Sequence, residues 1–168
     1  MAIKKEDKIT IIIAHYRLPY PLYYSGADKS TMELALALQQ SGVKVIALFC
    51  TGGVSTSSLA RRFKEAQLAY SQTDQGVEYQ YKELTVQVLP PNRFFKSYIN
   101  SIKENPTSII WHSTNIFDSS TLDRQWQKLF SIKATHMAFL HSMEGFEQFE
   151  PVKEKVDRWF CNSSFLAK

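Results

Sequence analysis

The runs Lys8-Ile9-Thr10-Ile11-Ile12-Ile13-Ala14, Ser30-Thr31-Met32-Glu33-Leu34-Ala35-Leu36-Ala37-Leu38 and Gly42-Val43-Lys44-Val45-Ile46-Ala47-Leu48-Phe49 decide the fold. The first is a β-branched string with little polar interruption, the pattern of a strand buried on both sides. In the second, Ser30-Thr31-Met32-Glu33 has capping-box spacing: a hydroxyl can hold a first-turn amide and a carboxylate can reach back, which predicts a helix starting there. Leu34 to Leu38 are apolar almost all round, as expected of a helix laid against a sheet. Gly42 ends that helix by supplying a left-handed cap. Val43 to Phe49 then forms a second strand, parallel to the first through a right-handed crossover.

Outward from this unit the alternation continues. Gly52-Gly53 and the residues to Ser58 read as a loop, Leu59 to Ala69 as a helix, and Glu78 to Lys82 with Thr85 to Leu89 as an antiparallel pair ending at Pro90-Pro91. Arg93 to Glu104 is helical, Ser108 to His112 a strand, Leu122 to Ile132 a helix, Met137 to His141 a strand and Arg158 to Cys161 a last strand, after which Asn162 caps a helix. Strands alternating with helices predict an α/β fold, a doubly wound and mainly parallel sheet with helices on both faces, as one domain over residues 1–168. Ligands of such sheets sit at the carboxyl ends of the strands.

Composition narrows the function classes. The 168 residues carry 20 Lys+Arg and 16 Asp+Glu, with 44% hydrophobic residues, as in a globular domain rather than a disordered chain. Residues 1–84 and 85–168 each hold 10 basic and 8 acidic side chains, so no basic arm suggests a nucleic-acid partner. The apolar runs Ile9 to Ala14 and Val43 to Cys50 reach no more than about half the ~18 residues of a membrane span. The first is also too short for a signal h-region, and a cytoplasmic location is expected. Cys50 and Cys161 each close an apolar run and read as buried reduced thiols.

The expected carboxyl edge gathers the polar candidates. His15, Tyr16 and Arg17 follow the first strand; His112 and Asn115 follow the strand at 108–112; His141 ends the strand at 137–141. Either His112 or His141 could serve as acid, base or donor in a crevice, and either fits a structural role. The connection from His15 to Lys29 is long for such a unit. Within it, Gly26 before a helix lets amides approach an anion. No G-x-G-x-x-G, Walker lysine, nucleophile elbow or third metal ligand accompanies these residues, so no metal site is expected.

The order of these motifs resembles the N-terminal domain of GT-B-type glycosyltransferases, the retaining enzymes grouped as family 4. Ile11 to Tyr16 with Pro19 and Pro21, Ser25-Gly26-Ala27-Asp28-Lys29, and Glu33-Leu34-Ala35 with Gly42 are similar to the family's opening. Val86 to Pro90, Ile109 to His112, Phe139-Leu140-His141, Val156-Asp157-Arg158 and Asn162-Ser163-Ser164-Phe165-Leu166 follow in family order, covering residues 8–168. The resemblance implies one Rossmann-like half of a two-domain enzyme that moves a sugar from a nucleotide-diphosphate donor to an acceptor hydroxyl with retention. It needs no metal cofactor.

On that resemblance Ser25, Gly26 and Ala27 face the donor diphosphate, His141 is the catalytic contact to the donor sugar, and His15, Tyr16, Arg17, His112 and Asn115 shape the acceptor site. The acceptor would be a sugar, a polysaccharide or a lipid-linked glycan. Two departures stand out: Ser25 replaces the first glycine of the family's pair, and no Glu-x7-Glu of the nucleotide-binding domain occurs. The expected partner is therefore a separate or downstream C-terminal domain, and the chain alone should transfer little sugar. The alternative is a non-catalytic Rossmann-like binding or scaffold domain. Asn92 to Lys103, where cations flank aromatic residues, suits weak peripheral contact with the inner membrane surface. It also suits a simpler arrangement, with Phe95, Ile99 and Ile102 facing the core and the lysines facing water.

Overall fold

The computed structural model describes residues 9–106, 108–113, 128–140 and 153–161. Among the described residues the elements are, in chain order, β1 (Thr10–His15), α1 (Gly26–Gln40), β2 (Lys44–Cys50), α2 (Thr56–Glu65), β3 (Tyr70–Gln72), β4 (Val77–Tyr81), β5 (Leu84–Leu89), α3 (Pro91–Glu104), β6 (Ile109–Ser113), β7 (Thr135–Leu140) and β8 (Arg158–Cys161). The strands form one eight-stranded sheet in the order β3-β4-β5-β2-β1-β6-β7-β8. From β5 to β8 every neighbouring pair is parallel, and only β3-β4 and β4-β5 are antiparallel. The parallel part runs third-second-first-fourth-fifth-sixth when its strands are counted in chain order, the arrangement of a Rossmann-like domain. The chain reverses its direction of travel across the sheet between β1 and β6, which makes the carboxyl ends of these two strands the switch point.

β1 lies in the middle with both faces covered. Ile12 and Ala14 pack into a core with Phe94, Phe95, Tyr98 and Ile102 of α3, while Ile13 packs into the opposite core with Met32 and Leu36 of α1 and Phe63 of α2. Helices thus cover both faces, as the alternation predicted. The membrane-suited pattern of residues 92–103 is taken up by this packing: Phe94, Phe95, Tyr98, Ile99 and Ile102 are buried, and Lys96 and Lys103 are exposed.

The start of α1 corrects the expected cap. The N-cap is Ser25, whose side chain accepts from the amide of Asp28 at 3.1 Å, so the helix begins at Gly26. The hydroxyls of Ser30 and Thr31 instead donate to the carbonyl of Ala27 inside the helix. Both serines have an acidic residue three positions on, and Ser25 takes the role because the carboxylate that answers it, Asp28, also meets His15 at the end of β1. At the other end Gly42 does what its position predicts: with φ of +86° it sends its amide to Gln39, while Val43 sends its own to Leu38. That pair of bonds is a Schellman closure.

The antiparallel pair at β4 and β5 also matches expectation, and β5 goes on to pair with β2. β3 was not anticipated; all three of its residues are exposed, so it carries no alternation of apolar and polar side chains to reveal it. α2 runs from Thr56 to Glu65, earlier than the expected 59–69, because Ser55 caps it. Of the helix expected at 122–132, residues 128–130 are helical and place Leu129 in the α3-side core. The helix expected after Cys161 lies outside the described residues.

Gly76, in the β3–β4 turn, sits against the neighbouring strand: a Cβ there would lie 2.5 Å from the carbonyl oxygen of Val88. Backbone cannot yield as a side-chain tip can, so Gly76→Ala should cost about 1–3 kcal/mol in urea unfolding. Gly26, whose Cβ would meet nothing within 4 Å, should accept alanine with little change. Equal midpoints for the two variants would contradict this packing.

Candidate functional site at the carboxyl edge

The connection from β1 to α1 begins with a buried polar triad. His15 is the last residue of β1, on the α1 side of the sheet, and neither it nor Asp28 is solvent-exposed. The Asp28 carboxylate lies 2.5 Å from His15 Nε2 through one oxygen and accepts from the Ser25 hydroxyl through the other. Ser25 thus caps the helix by accepting from the Asp28 amide while its hydroxyl donates to the Asp28 carboxylate, which sits where the helix dipole is positive. This triad gives His15 a positioning role: it anchors the helix start to the end of β1.

In front of the triad the helix end stays open. Gly26 is exposed, and the first-turn amides of Gly26 and Ala27 have no carbonyl partners within the helix. Tyr16 turns the other way. Its half-buried ring lies edge-on to Phe94 at 5.5 Å and tilted to Phe95 at 5.9 Å, and burial together with the neighbouring Cys50 raises its pKa. Burial likewise pushes the Cys50 thiol up to about 11, so it stays protonated near neutral pH, in line with the reduced, buried cysteine expected there.

Two clefts run along the same edge. One of about 420 Å³ lies between the start of α2, the β3–β4 turn and the start of α3, with Thr56, Gln72, Thr73, Asp74 and Asn92 among its walls. A smaller one of about 210 Å³ lies between Arg17, Tyr23, Gly52 and Arg62, and both clefts share Thr51 and Val54. Arg17 is exposed at the smaller cleft.

His112 lies elsewhere. It sits one residue before the end of β6, but strand alternation turns it to the α3 side, opposite to His15, and it is fully buried. The structure thus separates His112 from Ser25, Gly26 and Ala27 instead of bringing them to one crevice. Its Nδ1 is 2.8 Å from the Tyr98 hydroxyl and its Nε2 3.1 Å from His136 Nδ1; the two imidazoles stack with centroids 5.3 Å apart. His136 is near the amino end of β7, so the histidines are not all at the carboxyl edge.

These contacts fix the proton positions. Ile132 offers a carbonyl to His136 Nε2 at 3.2 Å, which requires N–H there and leaves Nδ1 as an acceptor. His112 then donates to His136 through Nε2–H and accepts from Tyr98 through Nδ1. Every group is satisfied with both rings neutral. The Asp157 carboxylate holds the His136 backbone amide at 2.7 Å, and the Asp157 amide returns a bond to the His136 carbonyl at 2.8 Å.

Asn115 and His141 lie outside the described residues. Asp28, His136 and Arg62 are the residues whose part sequence reading missed; Ser25-x-x-Asp28 carries a visible capping signal, whereas the pairing of His112 with His136 depends on strand register. Among the described residues no helix is long and apolar enough to cross a membrane. Neither a protein-family model nor a curated protein matches the chain. What the fold itself defines is a Rossmann-like α/β domain.

Burial lowers the pKa of His112 well below its usual value, with His136 adding to the effect, and burial also lowers that of His136. In the unfolded chain both rings titrate near about 6.5. Stability from the neutral pair is therefore complete above that pH and is lost as pH falls below it, at up to about 1.4 kcal/mol per pH unit for each proton gained on unfolding. Urea unfolding between pH 7.5 and 5 should show this slope. The double variant Tyr98→Phe with His112→Phe should flatten it by about one proton; an unchanged slope would remove His112 as its source.

Proposed function

We propose that this chain is the acceptor-side Rossmann-like half of a retaining GT-B glycosyltransferase, acting in the cytoplasm on a nucleotide-diphosphate sugar together with a C-terminal nucleotide-binding domain. The observation that supports it most is the α1 start, capped at Ser25 and open at Gly26, placed just after β1 beside the switch point of the sheet. Amides of Gly26 and Ala27 would approach the donor diphosphate and stabilise charge as it leaves. The His15–Asp28–Ser25 triad keeps those amides in position. The 420 Å³ cleft beyond, whose polar walls are hydroxyl and amide side chains with Asp74 and Arg93, suits a polyhydroxylated acceptor, and Arg17 lines the smaller cleft that adjoins it. His141 would touch the donor sugar, as the family resemblance implies.

A second reading is supported by Asp28. Its carboxylate already occupies the positive end of α1, which makes that end a weaker anion site and favours a non-catalytic binding domain. Transfer assays separate the two. With the chain extended past Lys168, or supplied with its partner domain, and screened against nucleotide sugars and glycan acceptors, transfer should be detected. Gly26→Glu should lower kcat by about 100-fold or more with the melting temperature nearly unchanged, because a side chain there meets open space but would place a carboxylate against the diphosphate. Undiminished turnover in Gly26→Glu would exclude this site. Absence of transfer from every donor would favour the binding domain.

A further inference from the structure

The cationic run Arg61-Arg62-Phe63-Lys64 on α2 splits in three dimensions. Phe63 is buried in the α1-side core, where it stacks on Tyr70 at 4.4 Å. Arg61 is 68% exposed and reaches Glu65 at 3.8 Å, the ordinary fate of a solvated helix arginine. Arg62 behaves differently. It is half-buried, it folds back to donate from Nη1 to the carbonyl of Leu22 at 2.9 Å, and its guanidinium carbon lies 6.0 Å from the centroid of the Tyr23 ring. Its Nε is shielded from solvent and has no hydrogen-bond partner among the described residues. No carboxylate among those residues pairs with it.

We infer that the cleft between Arg62 and Arg17 is a binding subsite for an oxyanion, a phosphate or carboxylate group carried by a small hydrophilic ligand. The two guanidinium groups come from separate elements, α2 and the β1–α1 connection, and line one cleft at the carboxyl ends of β1 and β2, the place where such sheets bind ligands. The bond to Leu22 and the Tyr23 ring hold Arg62 in place before any ligand arrives. A guanidinium fork matches the two oxygens of a carboxylate or phosphate.

Size limits what the subsite holds. A volume of about 210 Å³ equals that of roughly seven waters, enough for an anionic group and its point of attachment. Pockets that enclose a whole drug-sized ligand start near about 300 Å³. The remainder of the ligand extends past Thr51 and Val54 into the wider cleft, where hydroxyl and amide side chains with Asp74 and Arg93 offer donors and acceptors to a polyhydroxylated body. A phosphorylated or carboxylated sugar has both parts. Gly26 is not among the lining residues, so the subsite stands apart from the helix start and does not depend on the sugar-transfer reading.

Direct binding tests it without any turnover. Titration calorimetry of the intact chain with glucose 6-phosphate, glucuronate, inorganic phosphate and glucose should show saturable binding of at least one anion and none of glucose; which sugar binds tighter separates phosphate from carboxylate. The same titration followed by nitrogen-15 NMR should shift the Arg62 Nε–H resonance. Arg17→Ala, an exposed position, and Arg62→Gln should each weaken binding about tenfold or more, while Arg61→Gln should not. Absence of saturable anion binding, or an equal loss in Arg61→Gln, which would mean diffuse attraction to α2, overturns the proposal.

Discussion

A parallel strand in the middle of a sheet has no face left for water, and this constraint on β1 organises the molecule. Ile12 and Ala14 must satisfy one core and Ile13 the other, so polar chemistry can begin only where the strand stops. It begins at once: His15, the last residue of β1, is as buried as the isoleucines before it. A buried imidazole needs partners. Asp28 supplies one, and Asp28 can reach it only if α1 starts at Gly26. The position of the helix start, and with it the direction in which its amides point, follows from the need to satisfy one histidine at a strand end.

The same logic separates what could be read from the chain from what could not. Isoleucine and valine runs announced β1 and β2, and Gly42 announced the end of α1, because each signal is local and has one physical meaning. The cap of α1 was misplaced at Ser30 because two serines offer the same chemistry, and only His15, thirteen residues from Asp28, decides between them. β3 escaped notice because its three residues show no apolar alternation; pairing with β4 and the stacking of Tyr70 on Phe63 hold it.

The candidate edge was legible in outline only. Arg17 stood in the connection read as functional, and it lines a cleft there. Arg62 gives no sign of its part in the sequence, since helical spacing does not show that its side chain bends back to the carbonyl of Leu22, forty residues earlier. The histidines mislead in the opposite sense. His112 comes close to the end of a strand, but end position says nothing about which face a side chain takes, and register placed it beside His136 in a buried row with Tyr98. The neutral state of that row is a property of three elements together.

The strand at the β3 end of the described sheet is short: it contributes three exposed residues, Tyr70, Ser71 and Gln72. A strand needs a run of unpaired amides and carbonyls to recruit a stranger, and a border this brief provides few. Lateral growth of the sheet into fibrils or swapped assemblies is thereby discouraged at that margin, while the longer strands from β4 to β1 are paired on both sides.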